Sequence, residues 1–154
     1  MSKVLVVDPK KCTNCRLCEL SCSLKKTGEF NPVGSRIRVN AFAKDAAFIP
    51  LACFQCGDAP CVEVCPTGSL SQSDGLVPHD DDTCIGCRMC MLGCPFGVVS
   101  YDMRLGVITK CDTCDGEPEC VQFCPTGALT YEESDFAETT KGADFARKIA
   151  QAGR

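Results

Sequence analysis

Four cysteines at the spacing C-x2-C-x2-C-x3-C-P form the stretch that most strongly suggests chemistry in this sequence. They are Cys84, Cys87, Cys90 and Cys94, and Pro95 follows the last of them. The spacing is typical of chains that hold [4Fe–4S] clusters, because two-residue spacers let one tight loop direct three thiolates at one cluster. The fourth cysteine, one helical turn further on, points to a second cluster. A zinc site uses two cysteines per loop, so a third and a fourth at this spacing would be surplus.

Three further cysteine motifs make the pattern an internal repeat. Motif one has the same tight spacing as the stretch just described, which is motif three, whereas motifs two and four have a longer middle spacer. The similarity continues past the cysteines, since residues 61–70 read CVEVCPTGSL and residues 120–129 read CVQFCPTGAL. Four motifs of four cysteines predict four [4Fe–4S] clusters with no thiol left over. The candidate ligands of motifs one, two and four are Cys12, Cys15, Cys18, Cys22, Cys53, Cys56, Cys61, Cys65, Cys111, Cys114, Cys120 and Cys124.

Sixteen cysteines among 154 residues, with one histidine, restrict the explanations to disulfides, zinc or iron–sulfur clusters. Disulfides are found in secreted proteins, yet residues 1–9 contain no apolar segment of signal-peptide length and no twin arginine. We therefore expect a cytoplasmic chain. Zinc is the remote alternative, as a colourless interaction module without a redox signal, and the motif spacings argue against it.

The formal charge of −4 disfavours one class of partner. Each oxidised cluster with four thiolates adds about −2, so four clusters would bring the protein to roughly −12. Nucleic acid repels a protein of this charge. The sequence has no apolar run of about eighteen residues, and direct insertion into a membrane is therefore not expected.

The segments between the motifs predict the short elements that must position the cysteines. An apolar run over 4–7 suits a first strand, and the helix that carries Cys22 is expected to continue until Gly28 ends it. Pro60 is placed to start the helix of motif two. The remaining predictions are a strand over 35–40, a hairpin turned at 73–75, and two strands over 98–101 and 106–109.

Several side chains have a structural interpretation as well as a functional one. Arg36 and Arg38 are candidates for a docking patch, and a solvated strand face is the favoured interpretation. His79 is expected to be a surface residue rather than a ligand. A set of apolar residues inside the motifs is expected to keep water off the clusters and to lower their potentials. These residues are Leu17, Val62, Val64, Ile85, Met89, Val121 and Phe123.

A cluster whose irons all carry thiolates has no open position for a substrate and exchanges single electrons. The sequence has no C-x3-C-x2-C radical motif and no glycine-rich dinucleotide loop after a strand, and its one histidine supports no Ser/His/Asp set. We therefore expect no catalytic residues. The pattern indicates an electron relay whose catalysis takes place in another subunit.

The four motifs, the Cys-Pro-Thr-Gly continuations and the phrase Gly28-Glu-Phe-Asn-Pro32 together resemble the four-cluster electron-transfer subunits of the dimethyl sulfoxide reductase type. Subunits of this type also serve formate dehydrogenases, hydrogenases and carbon monoxide dehydrogenases. The resemblance covers residues 3–131. The short length and the Glu-Phe-Asn-Pro phrase are most similar to small soluble members that accompany tungsten-dependent aldehyde oxidoreductase or carbon monoxide dehydrogenase.

The resemblance implies an α+β fold of two nested bacterial-ferredoxin-like modules, each with two [4Fe–4S] clusters. The outer module would comprise residues 1–52 and 100–131 and the inner module residues 53–99, followed by a helical or frayed tail over 132–154. Motif one would pair with motif four and motif two with motif three, although the spacing alone leaves open a pairing of one with two and three with four. The implied ligand sets are Cys12, Cys15, Cys18 and Cys124; Cys111, Cys114, Cys120 and Cys22; Cys53, Cys56, Cys61 and Cys94; and Cys84, Cys87, Cys90 and Cys65.

The resemblance also implies the partners. The chain would relay single electrons between a large catalytic oxidoreductase subunit and a flavin-containing or other electron-accepting subunit or carrier. The expected catalytic subunit is a tungsten-dependent aldehyde oxidoreductase, with molybdenum and nickel enzymes as the other candidates. A free polyferredoxin that shuttles between enzymes is the alternative, and permanent apolar docking surfaces would argue against it.

Overall fold

The two ends of the described residues pair with each other. The structure is a computed structural model that describes residues 3–133, and its first strand, β1 (Lys3–Val7), runs antiparallel to its last, β6 (Leu129–Glu133). Lys3 lies opposite Glu133 and Val7 opposite Leu129. The predicted strand over 4–7 is confirmed. The predicted C-terminal tail lies, from residue 134 onward, outside the described residues.

The longest described helix, α1 (Leu17–Thr27), carries the last two cysteines of motif one. It starts directly after Arg16, whose backbone is left-handed with φ of 58°, and it ends at Gly28, whose φ of 75° only glycine adopts readily. The Gly28 N–H donates to the carbonyl of Leu24 at 2.9 Å, and Lys25 and Lys26 in the last turn complement the helix dipole. The predicted helix and its end are confirmed.

A hairpin of β2 (Arg38–Phe42) and β3 (Ala47–Leu51) follows, joined by a 3-10 turn over Ala43–Asp45. The predicted strand over 35–40 begins three residues late. The reason is a local turn, in which the Ser35 hydroxyl accepts from the N–H of Ile37 at 3.2 Å and donates to the Ile37 carbonyl at 2.7 Å.

Short elements carry the remaining motifs. The helices are α2 (Pro60–Glu63), α3 (Met89–Gly93) and α4 (Glu119–Gln122), and the strands β4 (Ser100–Asp102) and β5 (Val107–Thr109) form a third two-stranded antiparallel sheet. Pro60 starts α2 as predicted, the turn at 73–75 closes a Ser73–Leu76 pairing, and both strands lie within the predicted segments or one residue beyond them.

Cysteines form much of the interior, which is divided into two cores. The first combines residues from both ends of the described part of the chain, and the second uses its middle. Three of the seven buried members of the first core and two of the seven of the second are cysteines, so each core depends on its thiols as well as on its other apolar side chains. The first core contains Cys18, Cys22, Ile37, Val39, Ala52, Cys120 and Leu129, and the second contains Ala59, Cys61, Leu70, Val77, Cys90, Val99 and Ile108.

The architecture is a small α+β fold with three separate two-stranded antiparallel sheets and short helices. Within residues 3–133, none of the helices combines the length and the apolar character that crossing a membrane requires.

Candidate metal centres

The first quartet of thiols joins the two ends of the described residues. Cys12, Cys15 and Cys18 of motif one line a small cavity together with Cys124 of motif four. Left-handed backbone at Asn14 (φ 59°) and Arg16 (φ 58°) curls the loop so that it wraps the cavity. The remaining walls include the apolar side chains Val39, Pro50 and Leu129.

The second quartet has the same form in the middle of the sequence. Cys53, Cys56 and Cys61 of motif two line a cavity with Cys94 of motif three. Its apolar walls include Ala59, Val77, Val99 and Phe96.

The third quartet brings Cys22 to motif four. Burial raises the pKa of Cys120 far above its ordinary value, and the neighbouring thiols of Cys111, Cys22 and Cys114 raise it further. Burial also raises the pKa of Cys111 to about 11, with Cys22 among the neighbours that add to it. The loop turns sharply here, because Thr113, Cys114 and Asp115 are all left-handed.

The fourth quartet brings Cys65 to motif three. Burial raises the pKa of Cys90 to about 11, and the neighbouring thiols of Cys65 and Cys87 act in the same direction. Cys84 packs against the same core as Cys90 and Cys65. The loop requires glycine at Gly86, where φ is 67° and an added Cβ would clash with the Gly106 carbonyl oxygen.

Hydrogen bonds lower the pKa of two of the thiols. Burial opposes ionisation of Cys65, yet its contact with the Ser69 hydroxyl at 3.4 Å, with backbone N–H groups and with Thr67, lowers its pKa to about 6. The pKa of Cys124 is also lowered against the effect of its burial, first by the backbone N–H of Leu129 and then by the Thr126 hydroxyl at 3.8 Å. The repeated Cys-Pro-Thr-Gly segment supplies both threonines, a signal in the sequence that a search for ligands alone overlooks.

These quartets fit [4Fe–4S] clusters. The first two show this most directly, because each encloses a small cavity with apolar walls, lined by three cysteines of one motif and the last cysteine of another. Thiolate sulfur is the ligand that such clusters require. In the described part of the chain, no group of three or more histidine, cysteine, aspartate or glutamate side chains is arranged to hold a single metal ion.

Exposure of the sixteen cysteines is uneven. Cys15 and Cys87 are exposed, and all others are buried or half-buried. Cys15 and Cys87 hold equivalent positions in motifs one and three, directly before the left-handed residues Arg16 and Arg88. These two thiols are the points at which the candidate centres come nearest to solvent.

The two arginines considered as a docking patch are engaged within the chain. The guanidinium of Arg36 donates to the Asp112 carboxylate at 2.9 Å, and Lys26 donates to the same oxygen at 2.8 Å. Lys26 and Arg36 help to lower the pKa of Asp112 against the opposing effect of its burial. Arg38 donates to the carbonyls of Pro32 and Val33. Arg38 is exposed at the start of β2 and fits the solvated strand face, whereas Arg36 precedes the strand and pairs with Asp112. The docking patch stays a prediction.

The prediction that His79 is a surface residue is wrong. Its side chain is 9% exposed, and its Nδ1 lies 2.8 Å from the Asp81 carboxylate. Burial lowers the pKa of His79, while Asp81 acts in the opposite direction.

The prediction that apolar motif residues shield the clusters holds for only part of the set. Val62 and Val121 pack against the two cores. The others are exposed, whether they lie in a helix, just after one or in a loop, and these residues are Leu17, Val64, Ile85, Met89 and Phe123.

Some of these exposed side chains form an apolar groove between α1 and α4. Lys25 and Glu119 form an ion pair of 3.3 Å at its rim. The apolar lining of the groove consists of Leu17, Leu20, Leu24, Phe30 and Phe123.

Comparison with known proteins gives two family matches. Residues 44–134 match the family described as a 4Fe-4S dicluster domain, and residues 9–28 match a 4Fe-4S binding domain. Together they include all four motifs.

Two named relatives are subunits of oxidoreductases. The chain is 41% identical over 110 residues to the polyferredoxin-like subunit of aliphatic sulfonate oxidoreductase from Pyrococcus furiosus, covering 70% of this chain and 63% of that one. It is 35% identical over 121 residues to a subunit of anaerobic dimethyl sulfoxide reductase from Escherichia coli K12, covering 69% of this chain and 58% of that one. The chain thus spans less than two thirds of the length of either relative.

A solved structure shows the same fold. A subunit of the active site complex BamBC of benzoyl coenzyme A reductase, determined in complex with zinc, aligns with a TM-score of 0.50 and 24% identity. The alignment covers 97% of this chain and 96% of that subunit.

Proposed function

Because the protein belongs to the 4Fe-4S dicluster family of iron–sulfur electron-transfer subunits, we propose that it relays single electrons through four [4Fe–4S] clusters. The relay would connect a catalytic oxidoreductase subunit with an acceptor subunit or carrier. The observation that carries the proposal is the lining of the two cavities, since each combines three cysteines of one motif with the last cysteine of another. A relay of this kind needs no catalytic residue in the chain itself.

The proposed ligands follow the four quartets. All sixteen cysteines are used once, and each motif gives its last cysteine to the cluster of its partner motif. The sets are Cys12, Cys15, Cys18 and Cys124; Cys111, Cys114, Cys120 and Cys22; Cys53, Cys56, Cys61 and Cys94; and Cys84, Cys87, Cys90 and Cys65.

Electrostatic effects between thiols of different quartets support a linear order. Cys18 of the first set is close enough to raise the pKa of Cys120. Cys53 acts in the same way on Cys111, and Cys61 on Cys90. These three pairs connect the sets in the order given above, from the motif-one end to the motif-three end. The same order supports a division into an outer module of residues 1–52 and 100–131 and an inner module of residues 53–99.

The protein contributes ligands, burial and hydrogen bonds to this relay. A [4Fe–4S] cluster takes up and releases one electron at a potential set by its surroundings. Five of the sixteen candidate ligands are buried and nine are half-buried, and donors such as the N–H of Arg36 on the Cys22 sulfur, at 3.3 Å, stabilise negative charge there.

The two exposed cysteines support two points of exchange with partners. Cys15 belongs to the first set in the order and Cys87 to the last, so the outermost clusters have the most exposed ligands. Electron transfer between proteins favours short distances between centres. We propose that the catalytic subunit and the acceptor dock at opposite ends of the relay.

We extend the same proposal to the identity of the catalytic partner. We favour a tungsten-dependent aldehyde oxidoreductase as the catalytic subunit, with formate dehydrogenase, hydrogenase and carbon monoxide dehydrogenase as the other candidates and the cytoplasm as the location. A free polyferredoxin carrier is the second candidate function. The apolar groove lined by Leu17, Leu24, Phe30 and Phe123 favours a stably bound subunit, since such surface is costly to leave in water.

Anaerobic purification of the tagged chain from its native cell, with elemental analysis, tests the proposal. We expect about sixteen irons per chain and a large second subunit that contains tungsten. Nickel or molybdenum in that subunit would replace the favoured partner by one of the others. Iron without a second subunit would favour the free carrier, and zinc without iron would overturn the relay.

A ligand variant tests electron flow directly. Cys90→Ser removes a buried ligand of the last set, and we expect it to disable or alter one cluster and to slow electron transfer to the acceptor. Unchanged turnover with the natural acceptor, in a variant that has lost one cluster signal, would contradict the relay.

A further inference from the structure

Lys110 is a buried cation at the junction between the two cores. Its exposed fraction is 2%, and its ammonium donates to the carbonyl of Val77 and, at 3.1 Å, to that of Cys111. Among the described residues, no carboxylate lies within ion-pair distance of this ammonium. A buried charge is costly unless an opposite charge compensates it, so the compensation must come from another kind of group.

The thiols of the second quartet are the groups that can compensate the charge of Lys110. Burial raises the pKa of Cys56 and Cys61, and Lys110 acts against it on both. The Val77 carbonyl accepts from the ammonium, and Val77 lines the cavity of Cys53, Cys56, Cys61 and Cys94, so the ammonium lies beside that cavity. A cluster held by four thiolates would present a negative charge of about −2 or −3 to this ammonium.

Gln55 makes contacts with the same two residues as Lys110 but carries no charge. Its amide donates to the Cys111 carbonyl at 2.7 Å, and its oxygen accepts from the N–H of Val77 at 2.8 Å. Both side chains thus connect Val77, a member of the second core, to Cys111, a proposed ligand of the third quartet. A comparison of Lys110 with Gln55 therefore separates the effect of these hydrogen bonds from the effect of the charge.

We propose that Lys110 is a positioning residue that raises the reduction potential of the cluster held by Cys53, Cys56, Cys61 and Cys94. The proposal rests on the ligand sets of the proposed function. Reduction adds one negative charge to that cluster, and a nearby cation stabilises the more negative state. Since Lys110 and its surroundings are shielded from water, salt screens this interaction little. At the junction between the outer and inner sets, the cluster of Cys53, Cys56, Cys61 and Cys94 then accepts an electron more readily.

The test is an anaerobic redox titration of the intact complex, followed by electron paramagnetic resonance, for the wild type and Lys110→Met. We expect the equilibrium constant for reduction of one cluster to fall at least tenfold, which corresponds to 59 mV for a one-electron couple. The affected signal is identified by Cys56→Ser, which must alter the same one. Lys110→Gln, which is also neutral but keeps a donor for the two carbonyls, carries the test if the Met variant loses iron.

Gln55→Leu is the matched control. It removes the hydrogen bonds to Val77 and Cys111 without a change of charge, so its cluster potentials should stay near those of the wild type. Lys110→Arg keeps the charge and should do the same. An unchanged potential in the neutral Lys110 variants would overturn the proposal, and so would an equal shift in Gln55→Leu. A wild-type protein without four cluster signals would instead remove the proposed function itself.

Discussion

The carboxylate of Glu19 accepts a hydrogen bond from the backbone N–H of Val39 at 2.7 Å, although its residue is only 3% exposed. The bond ties helix α1, between its two ligand cysteines, to strand β2. Arg16 lies 3.8 Å from the other carboxylate oxygen. A buried acid is therefore used to hold the helix of motif one against the hairpin that closes the first cavity.

We expect Glu19→Leu to destabilise the protein by about 2 kcal/mol, because the N–H of Val39 would remain buried without an acceptor. The loss of visible cluster absorbance on heating measures this, and the transition should move to lower temperature. Glu19→Gln is the control, since its amide oxygen can still accept the bond while the charge is lost. If the Gln variant were as unstable as the Leu variant, the charge rather than the bond would be the stabilising feature.

Gly86 provides a second prediction, about the loop of motif three. Gly86→Ala combines a left-handed φ of 67° with a Cβ that would clash with the Gly106 carbonyl oxygen. The loop must then move, and we expect the cluster of Cys84, Cys87, Cys90 and Cys65 to be lost. Iron analysis should fall from about sixteen toward about twelve atoms per chain.

Gly97→Ala separates the effect of the steric clash from that of the backbone strain. Gly97 has a similar φ of 63°, but an added Cβ there meets nothing within 4 Å. It should cost only the backbone strain, about 1 kcal/mol, and retain all of its iron. Equal iron loss in both variants would show that steric contact with Gly106 is not the cause.

The cysteine motifs and the 4Fe-4S family that they indicate could be predicted from the sequence, because cluster loops have fixed spacing and proline and glycine mark their ends. The first strand, the end of α1 at Gly28 and the start of α2 at Pro60 follow from equally local signals. The pairing of β1 with β6 depends on contacts between the two ends of the described residues, and spacing alone leaves it undetermined.

Buried charges could not be predicted in the same way. Glu19 and Lys110 look like ordinary polar residues beside cysteines, and only the fold turns them inward. The sequence wrongly predicts His79 at the surface for the same reason, since a polar stretch hides its contact with Asp81. Conversely, Ile85 is 67% exposed although it lies within a motif, because its loop is too short to bury every apolar side chain.

Ser69 supplies a third prediction, about potential rather than assembly. Its hydroxyl lies 3.4 Å from the sulfur of Cys65 and helps to lower the pKa of that thiol, so it stabilises negative charge on the ligand. Reduction increases that charge. We expect Ser69→Ala to lower the potential of the fourth cluster by about 40 mV, equivalent to roughly 1 kcal/mol.

Thr126→Val is the comparison for Ser69→Ala in the same redox titration. Thr126 contacts Cys124 at the longer distance of 3.8 Å, so the shift in the first cluster should be smaller. A potential that rises or stays constant in Ser69→Ala would mean that the hydroxyl does not donate to the sulfur.

The apolar groove leads to the last prediction. Phe30 is 70% exposed at the groove between α1 and α4, so Phe30→Asp should leave the fold and the iron content unchanged. Burial of a phenylalanine at an interface contributes about 2 kcal/mol, and we expect the variant to bind the catalytic subunit roughly 30-fold more weakly. Met103→Asp is the matched control, because Met103 is 87% exposed and lies outside the groove. Titration of the purified catalytic subunit with each variant measures the difference, and equal affinities would exclude the groove as the docking surface.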